Sequence, residues 1–261
     1  MSKYLRIACI STHTALTIIL TIFVGQASLA VLFANRTIGT SQSVSGSVFG
    51  QLLLPALLVS IISLIGSFPI SLKDTSRMVM ERRLLPLIFL TSALSGINIL
   101  PLHSMLVSNM IFSPTVVAVL YQFSLLFFVY LILVIALFQQ GVNMLKFGQL
   151  ITIGALGCLL LAALSPVSAS VAHNVVSGRF ASTPVLFAVQ IIGIIAIACF
   201  VAIFVKEKTR HNALRCGGFI SLTLAILGLS SQFGTAVKLL GIVIFAVGVL
   251  LVSPIFQGDR L

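Results

Sequence analysis

The chain has 261 residues, of which 59% are hydrophobic and only 7% charged, and it carries a net charge of +11. A soluble domain needs about 25% charged residues to face water, so a water-soluble fold is excluded. The 15 Lys and Arg residues cluster at the ends of apolar runs, a signature of topology and of attraction to anionic lipid headgroups, and no nucleic-acid partner is expected.

Eight apolar runs, bounded by charges or by Gly, Ser and Pro clusters, read as membrane spans at 7–33, 51–72, 84–101, 114–138, 147–166, 184–205, 216–232 and 236–255. A run of about 20 residues matches a hydrocarbon core of about 30 Å. Backbone polar groups in lipid must be satisfied within the segment, which makes each run a helix, and none shows the alternation of a barrel strand. The expected fold is therefore all-α, a polytopic helical membrane protein with about eight transmembrane helices in a single domain, 1–261.

The first run follows Lys3 and Arg6 and ends near Ser28-Leu29-Ala30, which resembles a signal-peptidase site. Cleavage there would leave seven spans, but a cleaved signal has an apolar region of about 7–15 residues and this one is longer. Within it His13, Thr17, Thr21 and Gly25 recur every fourth residue, which places them along one face with Gln26 beside it. Asn35-Arg36-Thr37 matches a glycosylation acceptor. The Ser-rich stretch 39–50 reads as a flexible outer connection. The basic loop 72–83 reads as a short surface helix that anchors headgroups. In the third run Thr91, Ser95 and Asn98 share a face; in the fourth Ala118 and Gln122 do, with Tyr121 adjacent; the sixth contributes Gln190. The seventh is short and rich in glycine (Gly217, Gly218, Gly228), so 216–232 and 236–255 form either a tight hairpin or one broken helix.

Charge placement sets the orientation. With the N-terminus inside, Lys3, Arg6, Lys73, Arg77, Arg82, Arg83, Lys146, Lys206, Lys208, Arg210, Arg215 and Arg260 are inner, and Arg36, Arg179 and Lys238 outer. Twelve against three obeys the positive-inside rule and supports eight spans with both termini cytoplasmic. The expected location is a bacterial cytoplasmic (inner) membrane.

All four acidic residues, Asp74, Glu81, Glu207 and Asp259, fall in segments expected to be cytoplasmic. A carboxylate proton relay within the bilayer is therefore not expected, nor a carboxylate cage for a metal. The four histidines fall in different segments, and the four cysteines lack metal-ligand spacing and read as small packing residues. No cofactor and no enzymatic activity are expected, since no nucleophile has a base and an orienting group beside it. Neutral amides and hydroxyls remain. Small residues and amides commonly serve helix packing; the functional reading is a polar cavity that binds substrate through Asn98, Tyr121, Gln122, Gln190 and Gln26. For His13, a satisfied histidine near the interface is the expected role.

The run Ile111-Phe112-Ser113-Pro114-Thr115-Val116-Val117-Ala118-Val119-Leu120-Tyr121-Gln122-Phe123-Ser124, followed after a polar turn by Lys146-Phe147-Gly148-Gln149-Leu150 with Gly154 and Gly157, resembles part of one half of the EamA-like drug/metabolite transporter superfamily. The final run, with Gly241 and Gly248, is similar to that family's closing helix. The resemblance covers 84–166 and 236–255 and implies two five-helix repeats of opposite orientation; here the second half has three spans, a degenerate inverted repeat. The family's proline is missing around Ser124-Leu125, and Gln139-Gln140 stand where an acidic residue is often found. The resemblance implies movement of a small organic solute through a cavity lined by helices one, three, four and six.

Two functions are thus expected in competition. One is a transporter of a small neutral or weakly polar solute by alternating access, without a carboxylate relay. The other is a non-catalytic membrane subunit, a permease partner or scaffold, whose loops 72–83 and 206–215 dock a protein partner or a second copy.

Overall fold

The computed structural model describes residues 3–34, 52–72, 80–107, 113–141, 147–165, 181–231 and 234–253. In chain order these form α1 (Lys3–Ala34), α2 (Leu54–Leu72), α3 (Met80–Leu94), a 3-10 turn (Ser95–Ile99), α4 (Leu100–Val107), α5 (Pro114–Gln139), α6 (Phe147–Leu164), α7 (Thr183–Lys206), α8 (Arg210–Ser230) and α9 (Thr235–Val252). Six helical units are long and apolar enough to cross a membrane: α1, the α3–turn–α4 unit, α5, α7, α8 and α9. Two shorter apolar stretches, Leu54–Pro69 and Gly148–Leu164, lie in α2 and α6. No strand occurs among the described residues. The chain is a multi-pass helical membrane protein.

The sequence Asn35-Arg36-Thr37, the connection 39–50 and most of the loop 72–83 lie outside the described residues. Two boundaries differ from those expected. The seventh span was expected to begin at 216, yet α8 begins at Arg210, so most of the supposed loop 206–215 is its first turns. Thr209 accounts for this: its hydroxyl oxygen accepts from the Asn212 N–H (3.3 Å), and Asn212 Nδ2 donates to Glu207 Oε2 (2.6 Å). A capped start extends a helix to its cap, whatever the local hydropathy. The 216–232 and 236–255 runs are two helices, α8 and α9, antiparallel neighbours across a short turn.

The third span is broken rather than ended at Pro101. Proline lacks an N–H and its ring collides with the carbonyl four residues earlier, so the α ladder cannot pass through Ile97. The Leu100 N–H bonds the Ile97 carbonyl instead, closing a 3-10 turn. Upstream, the hydroxyls of Thr91, Ser92 and Ser95 donate to the carbonyls of Ile88, Phe89 and Ser92 at 2.6–2.8 Å. Such bonding back to the helix satisfies a hydroxyl in an apolar setting and bends the helix that supplies it.

The bundle is built around α5, which is buried on nearly all sides from Val117 to Ala136. A helix hydrophobic all round belongs in a core. Its contacts reach α3, the 3-10 turn, α6, α7 and α8. It starts with Pro114, whose missing N–H is harmless in a first turn. It stops at Gly141, which takes φ +87° and donates to the Phe138 carbonyl (3.1 Å), a backbone state that glycine adopts without Cβ strain. On the other side α2 packs against α1, α3 and α9, so α9 joins the two ends of the chain.

Small residues set these approaches. Gly241 and Gly248, seven apart on α9, both face α8: a Cβ at Gly248 would lie 2.9 Å from the backbone nitrogen of Leu222. At the periphery α6 lies along α5, where Tyr130 occupies the space over Gly154 and donates to the Leu150 carbonyl (2.9 Å). Ile153, Leu156, Leu160 and Leu164 of α6 point outward, as do Phe187, Ile191 and Ile194 of α7, as lipid-facing residues do.

Candidate functional site

Five elements leave a gap where they meet. The start of α2 (Pro55, Ala56, Val59), the 3-10 turn (Ser95, Gly96, Asn98), α5 (Tyr121, Leu125), the last turn of α8 (Ile226, Leu229, Ser230) and the first turn of α9 (Lys238) line a partly open cavity of about 30 Å³. By the ~10–15 Å³ that one water centre needs, it admits about two waters or a group of a few heavy atoms. It lies towards the end of the bundle that carries the α8–α9 turn.

The backbone break puts Asn98 here. In the 3-10 turn Asn98 lines the gap together with Ser95 and Gly96. The Asn98 Oδ1 is buried and has no hydrogen-bond partner. Ser95 and Ser230, which also line the gap, commit their hydroxyl protons to the Ser92 carbonyl (2.6 Å) and the Leu227 carbonyl (3.2 Å). Irregular backbone at membrane depth occurs where it lines a cavity or is buried in protein.

Of the five residues expected to bind substrate, the structure brings two together here, Asn98 and Tyr121. Gln122, the next residue along α5, points elsewhere because successive helical residues diverge by about 100°. Its Oε1 accepts from both the N–H (3.1 Å) and the hydroxyl (2.8 Å) of Ser182, the residue that opens α7. Gln122 is wholly buried and ties α5 to the start of α7; its Nε2 has no partner. Gln26 is exposed on α1, where its Oε1 meets His103 Nε2 of α4 at 2.7 Å, with Phe23 against the same imidazole. Gln190 is exposed on the outer side of α7.

The stripe expected on α1 divides. His13 and Thr17 are buried, whereas Thr21 and Gly25 are exposed, and burial continues through Leu20, Val24 and Ala27. A spacing of four advances about 400° per step, so such a stripe drifts round the helix. The two buried residues meet α2: Thr17 Oγ1 lies 2.8 Å from Ser60 Oγ, and His13 Nε2 lies 3.1 Å from Ser63 Oγ. Thr17 donates to the His13 carbonyl (2.9 Å) and Ser63 to the Ser60 carbonyl (3.0 Å). With those protons committed, Ser60 donates to Thr17 and the His13 Nε2–H donates to Ser63, leaving Nδ1 as a bare acceptor without a partner. His13 is thus wholly buried inside the bundle rather than at its edge.

One residue of the cavity was counted only as an outer charge. Lys238 is 6% exposed. It falls in the first turn of the last apolar run, inside the span rather than in the loop before it, and this was the available signal, because a charge within a span marks a functional position by default. Among the described residues the cavity lining contains this cation and no carboxylate, and no cluster of His, Cys, Asp and Glu suited to a metal occurs among them.

The chain matches no family model, no curated protein and no solved structure.

Proposed function

We propose that the chain binds a small polar solute in the cavity between α2, the 3-10 turn, α5, α8 and α9, and carries it across the membrane by alternating access. The observation that carries this reading is the broken helix: the 3-10 turn at Ser95–Ile99 places Asn98, whose amide oxygen is buried and unpartnered, in the wall of a cavity between packed helices. Transporters commonly build substrate sites from discontinuous helices of this kind. The resemblance to drug/metabolite transporters supports the same reading, with the cavity opening on the outer side and both termini inside.

Alternating access is testable without knowing the solute. In a background with the native cysteines replaced, a single cysteine at Ser230 or Val59 should react with a membrane-impermeant thiol reagent from either side of sealed vesicles. Reaction from one side alone would exclude alternation and leave a static pocket.

A second reading, a non-catalytic subunit, draws on Gln190. An amide exposed on an apolar helix face is costly in hydrocarbon and gains by bonding to another helix. Gln190→Leu should then dissociate a lateral complex seen by cross-linking in native membranes; an unchanged cross-linking pattern would remove this reading.

A further inference from the structure

We propose that α7 is the contact helix of a homodimer, in which Gln190 pairs with its own counterpart in a second copy of the chain across a two-fold axis normal to the membrane. This rests on the lateral-complex reading above and names the partner.

The bundle encloses α7 on one side only. Its buried stripe runs from Val185 to Ile203, and 28% of its apolar stretch is buried, against 72% in α5. The opposite side is a continuous seam: Phe187, Gln190, Ile194, Ile197, Val201 and Phe204 follow one another at alternating steps of three and four, all exposed or half-buried. Such steps are the spacing by which parallel helices pack at about 20°. The seam is apolar except at Gln190.

Gln190 has no means of satisfying its amide within the chain. The 24 residues of α7 span about 36 Å, more than a hydrocarbon core of about 30 Å. Gln190 lies seven residues past Thr183, about 10 Å along the axis, so its amide is inside the hydrocarbon on a stem too short to reach the headgroups as Lys and Arg do. Other exposed polar groups of the spans return to the protein. Thr21 donates to the Thr17 carbonyl (2.7 Å), Thr152 to the Gly148 carbonyl (3.0 Å), and Gln26 meets His103 (2.7 Å). Among the described residues Gln190 has no hydrogen-bond partner, and an amide left so in hydrocarbon costs free energy.

A second copy supplies what is missing. An amide is both donor and acceptor, so two facing amides satisfy each other, the Nε2–H of each donating to the Oε1 of the other. The match also requires equal depth. Two copies inserted the same way round and related by a two-fold axis along the membrane normal hold identical residues at identical depth. Gln190 takes an inward position of the seam's heptad, where identical residues of parallel helices meet across the axis. A polar residue within an apolar seam fixes register and the number of strands, and Gln190 does so for a pair.

The test uses the whole chain. In liposomes at low protein-to-lipid ratio, energy transfer between donor- and acceptor-labelled copies should report a dimer. Gln190→Leu should raise its dissociation constant about eightfold, the effect of two interhelical bonds of average strength in a membrane, and Gln190→Asn, which keeps the amide, should stay nearer the native value. With the native cysteines replaced, Ile194→Cys and Val201→Cys should form disulfide-linked dimers on mild oxidation, whereas Ile195→Cys and, on α6, Leu160→Cys should not. Linking as strong at 195 and 160 as at 194 and 201, or a dimer indifferent to Gln190→Leu, would overturn the proposal. A monomer in liposomes, with a lateral complex still cross-linked in native membranes, would overturn the second copy as partner and leave the lateral-complex reading standing. No complex in either setting would remove both. Should the cysteine-free chain fail to fold, energy transfer on the native chain and on Gln190→Leu still decides.

Discussion

Two polar regions share α2, and they differ in whether their polar groups meet one another or border a gap. On one face Ser60 and Ser63 close against Thr17 and His13, and the protons of that seam are committed to partners within it. On the adjoining face Pro55, Ala56 and Val59 border the cavity, where the Asn98 oxygen has no partner and Lys238 brings a charge. The seam closes a packing interface, because a satisfied hydrogen bond between helices adds modestly to stability. The cavity leaves the Asn98 oxygen unused beside open space, whereas the one unused acceptor of the seam, His13 Nδ1, is packed away; unused capacity inside a protein costs stability unless a ligand meets it. Apolar substitution should therefore separate the two: in the seam it lowers stability, in the cavity it lowers binding.

The largest expected effect is at a third polar contact, which behaves like the seam. Gln122→Leu deprives the Ser182 N–H and hydroxyl of their shared acceptor and should destabilise the chain by about 2 kcal/mol. Unfolding titration in mixed detergent would measure it; an unchanged midpoint would show that the tie between α5 and α7 carries no stability. Next, His13→Leu should cost about 1 kcal/mol and Thr17→Val about 0.6 kcal/mol, the average for hydrogen bonds between membrane helices. If either variant bound ligand differently at unchanged stability, the seam would belong with the cavity. The smallest shift belongs to Asn98→Leu, which should move stability by no more than about 0.5 kcal/mol, towards greater stability. A large loss of stability there would mean that Asn98 serves packing, and the contrast between the two faces of α2 would fail.

Much of the fold is legible in the sequence because hydropathy alone decides which segments enter lipid. The helical spans follow from local chemistry, whereas hydropathy leaves the hairpin at 230–235 open against one broken helix and ends the third span at 101, where Pro101 breaks it instead. The site is less legible. Asn98 and Tyr121 stand out as polar residues in apolar runs, yet so do Gln122, Gln26 and Gln190, and nothing local distinguishes them. What separates them is the partner each meets, and Ser182 lies 60 residues from Gln122 and His103 lies 77 from Gln26. The drift of the α1 stripe can be foreseen from helix geometry, since residues four apart cannot hold one face for long. Lys238 is missed for another reason: counting it towards orientation treats a charge as belonging to a loop, although it stands in the first turn of an apolar run.

The 3-10 turn also stores a change of length. Five residues in 3-10 form rise about 2.0 Å each against about 1.5 Å in an α-helix, so refolding Ser95–Ile99 into regular helix would shorten the rod by about 2.5 Å. The accompanying change in winding, from about 120° to about 100° per residue, would swing α4 round its axis by about 100°. That screw-like displacement would carry Asn98 out of the gap and pull His103 from Gln26 on α1. A local rewinding of five residues would thus be felt on the far side of the bundle.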